Sequence, residues 1–213
     1  MKLSKTTALR LMALSGLLPL LYVISRINSH GYPLVEPTFP QLILSAFIVI
    51  LTSVILVLGI IGGVLLTKKT ESFSPFGFTL ASGIMFLFMM FYVWLLFNSS
   101  NPLSIAISLG DFAGFSFCFT AIFYAVFLSS VVGKENRKIR SLSTVYGVFS
   151  IISIVQIIMM PAIGDSMDVA NAVYPAYYSL FTMYAVTVTC IIPAIIGILL
   201  MIFVWKADLF LEE

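Results

Sequence analysis

Charged side chains cut this chain into blocks. Six stretches, 11–25, 41–66, 76–97, 112–132, 141–163 and 175–205, contain no Lys, Arg, Asp, Glu or His. A helix needs about 20 mostly apolar residues to cross the hydrocarbon core of a bilayer. It also satisfies its own backbone there, which an open strand cannot do. Each stretch therefore predicts a transmembrane helix. The first is the shortest and extends to 8–26 by drawing on Thr7 to Arg10 at the interface, where a long basic side chain can reach water. The second and sixth are long enough to tilt.

The punctuation agrees with these limits. Pro33, Pro37 and Pro40 fill the first connection, and Pro40 stands where a helix start tolerates it. Ser74-Pro75 opens the third span, and Asn98 to Pro102 closes it. Gly133 ends the fourth, Pro161 and Gly164 end the fifth, and Pro175 opens the sixth. Pro19 and Pro193 fall inside spans and predict kinks.

Composition excludes the soluble alternatives. The 213 residues are 61% hydrophobic and only 9% charged, and the mean hydropathy is +1.12. Soluble domains carry about 25% charged residues. A soluble enzyme, a nucleic-acid binder and a disordered linker are set aside. The expected architecture is all-α: one polytopic domain over 1–213, a bundle of six transmembrane helices with the bilayer as its first partner.

The placement of charge sets the orientation. Lys2, Lys5, Arg10, Lys68, Lys69, Lys134, Arg137, Lys138, Arg140 and Lys206 all fall on one side of this layout, and Arg26 alone falls on the other. The positive-inside rule then puts both termini in the cytoplasm of a multi-pass plasma-membrane protein. The Lys134–Arg140 cluster reads as a topology anchor, with anionic-lipid binding as the alternative. Lys2, Lys5 and Arg10 ahead of Leu11–Val23 imitate a signal peptide. No small-residue cleavage site follows, so the segment reads as a retained span.

Chemistry-bearing residues are sparse. Ion-coupled transporters place ionisable groups inside their spans, and these six stretches have none. Gln156 reads as interhelical glue. Cys118 and Cys190 sit in apolar runs and read as small core residues. Gly59-x-x-x-Gly63 and Gly110-x-x-x-Gly114 permit close helix approach. His30 reads either as a solvated loop residue or as a ligand at the outer surface, and a single histidine excludes a permanent bis-histidine haem. Asp111 reads as the N-cap of the fourth span. The chain is dense in aromatics, with 19 Phe, 9 Tyr and 2 Trp; these suit lipid contact, an interface belt or the stacking of a flat ligand.

One stretch carries a family likeness. Phe119 to Leu128 leads into a basic turn, and Arg140-Ser141-Leu142 then precedes Gly147. With six spans and both ends inside, this resembles the cytochrome c assembly family of haem-handling membrane proteins, in its CcmC-like branch. In that family an outer tryptophan-rich segment ending in Trp-Asp stands just before the fourth span, and Asp111 holds the matching place. Pro40 matches a proline that follows His-Val. The 98–111 loop has no tryptophan, however, and Thr38 stands where the histidine would be. The second family histidine falls near Met167-Asp168.

The resemblance implies haem as a cofactor, handled at the outer face during cytochrome c biogenesis. The implied binding residues are His30 and Met167 as ligands, Trp94 and Phe112 as stacking surface, and Asp111 as a shaper of the loop. No catalytic residue and no separate metal site is expected, and the chain does not read as an enzyme. The alternative is a non-catalytic integral subunit of a larger respiratory or transport complex, partnered by other membrane subunits. A carrier for an uncharged substrate is a third reading.

Overall fold

A computed structural model describes residues 4–28, 38–69, 74–99, 116–132, 136–173 and 191–207, with the side chains of 26, 69, 74, 117, 118 and 156–173 excepted. Every described element is helical: α1 (Lys5–Ala13), a 3-10 turn (Leu14–Leu17), α2 (Leu18–Asn28), α3 (Phe39–Lys69), α4 (Ser74–Asn98), α5 (Phe117–Val131), α6 (Arg137–Val173) and α7 (Ile192–Lys206). Four segments are long and apolar enough to cross a membrane: Lys5–Ser25, Phe39–Lys68, Pro75–Asn98 and Arg137–Val155. Phe119–Val131 and Ile192–Lys206 are shorter apolar helices.

The first rod starts earlier than the charge-free stretch suggests. Ser4 caps it, its Oγ accepting from the Thr7 amide at 3.1 Å, which satisfies one of the orphan amides of the first turn. Its mid-course tightening has a local cause. Pro19 has no N–H, so the Ser15 carbonyl loses its i+4 donor. The Leu18 amide donates to that carbonyl instead, and the backbone narrows to 3-10 geometry just ahead of the proline.

This rod is the hub of the bundle. It packs against α3, α5 and α7, while α3–α4, α4–α5, α5–α6 and α6–α7 close the succession around it. Of the Lys5–Ser25 window 56% is buried, against 22% for Pro75–Asn98, so α4 lies at the periphery. Leu9, Met12, Leu18, Ile48, Leu56, Phe78, Met89, Tyr124 and Phe127 are fully buried in one core.

Glycines bring the helices together, as expected when lipid removes the hydrophobic drive to associate and close packing must replace it. A Cβ on Gly16 would collide with the Gly197 carbonyl oxygen, and one on Gly197 with that of Gly16. On α3, Gly59 lies against the Phe78 ring, Gly63 against Thr79, and Gly62 against the Ala8 carbonyl. The Gly59/Gly63 pair thus faces α4, while Gly62 faces α1.

One expected boundary is corrected. The fifth helix does not end at Pro161 and Gly164; α6 runs unbroken for 37 residues to Val173. A proline costs one intrahelical hydrogen bond, a loss that membrane helices tolerate when neighbouring groups re-satisfy the carbonyl. At 1.5 Å per residue the helix is roughly 55 Å long, well beyond the ~30 Å hydrocarbon core. The 164–173 segment, expected as the connection between the fifth span and the sixth, is the last part of α6.

Candidate functional site

Trp94 is the one candidate haem contact whose side chain is described. It lies near the end of α4, 57% exposed, on the helix face opposite the buried Met85 and Met89. Its ring stacks on Phe91 at 5.9 Å and 21°. Phe88, Phe91 and Phe97 are exposed with it, and Phe91 meets Tyr92 edge-on at 6.4 Å. Successive spacings of three residues place Phe88, Phe91 and Trp94 on one side of the helix. The result is an aromatic strip turned away from the bundle. His30, Asp111 and Phe112, with Gly110, Gly114 and Cys190, lie outside the described residues. Met167 is in α6, a helix rather than the loop expected there, and its side chain is outside the described set. Among the described residues no three His, Cys, Asp or Glu side chains gather. The described side chains form no haem cradle at Trp94.

Next to the connection that contains His30, a polar clamp joins α2 to α3. Asn28 Nδ2 donates to the Gln41 carbonyl and to Ser45 Oγ, both at 2.9 Å. Gln41 Nε2 donates back to the Asn28 carbonyl at 2.9 Å. Gln41 Oε1 accepts from the Thr38 amide at 2.8 Å and from Thr38 Oγ1 at 3.0 Å. The Thr38 amide bond to Gln41 Oε1 is one half of a capping box, whose signature is Thr-x-x-Gln before an apolar run. The residue that departs from the family's histidine thus has a structural task of its own. The spacing alone could have revealed it.

Three buried hydroxyls also lie inside the bundle. Thr52 Oγ1, Ser82 Oγ and the Tyr124 hydroxyl are buried and have no hydrogen-bond partner among the described residues. They come from three different helices, α3, α4 and α5. Tyr124 packs on Phe78 at 5.7 Å, and Phe78 and Ser82 both border Gly59. Other hydroxyls are silent: Ser53, Thr67, Thr79, Ser150 and Ser153 donate to carbonyls one turn back, at 2.7–2.8 Å.

No family model, curated protein or solved structure matches this chain.

The third feature is a groove of about 430 Å³ between α5 and α6, walled by Ala125, Ser129, Ser143 and Gly147 and rimmed by the exposed Val126 and Val148. Gly147 sits so close to α5 that an added Cβ would stand 3.1 Å from the Ala125 methyl. The hydroxyls that line it are occupied. Ser129 donates to the Ala125 carbonyl at 2.7 Å, and Ser143 and Thr144 donate to the Arg140 carbonyl at 2.9 and 3.0 Å. Ser129 and Ser143 also meet across the seam at 3.3 Å. With its donors spent internally, the groove presents shape and methyl surface rather than open polarity.

Proposed function

We propose that this protein is a non-catalytic integral subunit of a larger membrane assembly and that the α5–α6 groove seats one transmembrane helix of a partner. The groove carries the reading. Its lining recurs at helical spacing on both walls, through Ile122, Ala125 and Ser129 on α5 and Ser143, Gly147 and Ile151 on α6. That spans about two turns, the contact length of a crossing helix. Ala125 and Gly147 bring α5 and α6 together at the groove's base, and the exposed Val126, Thr144, Val148 and Ile151 along its rim offer a partner helix the van der Waals contact that drives association in lipid.

The same reading takes the chain as six spans in the plasma membrane with both termini cytoplasmic. The apolar stretches around the two shorter helices and the one-sided Lys/Arg distribution support it. The test is co-migration on native gels from the native membrane, compared with a Thr144→Trp or Val148→Trp chain. Both positions are exposed, so the bulk fills the groove without disturbing the core. Loss of the larger species with the monomer intact is the expected result; an unchanged larger species sinks the reading, and a monodisperse wild-type chain does so as well.

Haem handling at the outer face is the second reading. The exposed Phe91–Trp94 stack favours it, because a flat apolar surface at a membrane boundary suits a porphyrin. A visible spectrum of the detergent-purified chain with added haem tests it. A Soret shift lost in His30→Ala supports it, and no shift overturns it.

A further inference from the structure

A second cavity, of about 980 Å³, lies at the opposite end of the bundle from the polar clamp, between the start of α6 and the end of α7. Arg137 and Lys138 reach it from the first turn of α6, and Lys206 from the last residue of α7. All three are exposed. The floor is apolar: Ile139, Leu199 and Phe203 line the same cavity. Among the described residues no carboxylate shares it.

A topology anchor requires only that basic residues stand on the correct side. It does not require residues from two helices, distant in sequence, to converge on one hollow, nor that the hollow continue down an apolar helix face. Three positive charges at the mouth and hydrocarbon below make an amphipathic receptor. The dipole of α6, whose N-terminal end begins at Arg137, favours an anion at the same place.

We propose that this cavity binds an anionic phospholipid, with the phosphodiester at Arg137, Lys138 and Lys206 and an acyl chain along Leu199 and Phe203. A free phosphate would share the head-group chemistry but leave the apolar floor uncovered, which is why the lipid is the assigned ligand. Basic side chains near the bilayer surface attract anionic lipid, each by roughly fivefold. The cavity concentrates three of them on one head group.

The experiment uses the full chain, purified in detergent and exposed to phosphatidylglycerol and phosphatidylcholine of identical acyl chains, with bound lipid counted by native mass spectrometry. Inorganic phosphate is the third arm, read by thermal melting. The expected result is a preference for phosphatidylglycerol of about tenfold or more. It falls to near unity in Arg137→Ala/Lys138→Ala/Lys206→Ala and survives in Arg137→Lys/Lys206→Arg. Lys68→Ala, a basic change at the end of α3, leaves it intact. Equal retention of the two lipids overturns the proposal, as does a preference that persists in the triple variant or disappears in Lys68→Ala. A melting shift with inorganic phosphate equal to that with phosphatidylglycerol assigns a free-anion site and also overturns it. Should the triple variant aggregate, Lys206→Gln at its exposed position carries the comparison, with a three- to fivefold loss expected.

Discussion

Arg10 and Trp205 hold each other by their backbones. The Arg10 guanidinium donates to the Trp205 carbonyl at 3.3 Å, and the Trp205 indole Nε1 donates to the Arg10 carbonyl at 3.2 Å. The reciprocity locks the rim of α1 to the end of α7. It also explains how a basic residue sits inside the first rod: Arg10 is exposed and its charge serves a helix-terminal carbonyl.

Trp205→Phe keeps the ring and deletes the donor. A typical hydrogen bond contributes about 1 kcal/mol net, and this one is solvent-exposed, so the expected loss is about 0.5–1 kcal/mol. Arg10→Met removes the other half. A double-mutant cycle by thermal melting in detergent should show the two changes to be non-additive, since each weakens the same joint. Strict additivity would mean that the pair is not coupled.

Gly16→Ala and Gly197→Ala each drive a methyl into the opposing carbonyl. Overpacking of this kind costs about 1–3 kcal/mol. Gly83→Ala is the control: nothing lies within 4 Å of its added Cβ, and alanine is a better helix former by about 1 kcal/mol. Melting temperatures should therefore fall for the first two and hold or rise for the third.

Asn28→Leu breaks the clamp between α2 and α3. The buried Ser45 Oγ and the part-buried Gln41 carbonyl lose their donor, at a cost of about 1–3 kcal/mol. Proteolysis or cysteine labelling in the 29–37 connection should quicken, because its two anchored ends separate. Unchanged labelling would show that the clamp does not hold the connection.

Thr52→Val and Ser82→Ala remove hydroxyls that lack partners among the described residues. An unsatisfied buried hydroxyl costs about 1–3 kcal/mol, so both variants are expected to melt at or above the parent temperature. A clear fall in either would mean that the hydroxyl grips something in the working protein.

The membrane helices were legible because exclusion of charge from the bilayer is a local rule. Phe39–Lys69 and Ser74–Asn98 extend the stretches 41–66 and 76–97 by only a few residues at each end. Val173 was missed as an end because proline and glycine punctuate soluble helices more strictly than membrane ones. The Gly59/Gly63 spacing marked a contact but not its partner; Phe78 and Thr79 come from another helix. Lys206 could not be paired with Arg137 by inspection, because only the packing of α7 on α6 sets them around one cavity. Thr38 was readable, and its Gln41 three residues on was the sign.

The Gly16–Gly197 crossing has a consequence for biogenesis. Its neighbours Arg10 and Trp205 are 195 residues apart. At translation rates of about 5–20 residues per second, the hub rod waits roughly 10–40 seconds in the bilayer before α7 exists to cover it. During that interval its glycine face is bare, and any small-residue helix nearby can occupy it.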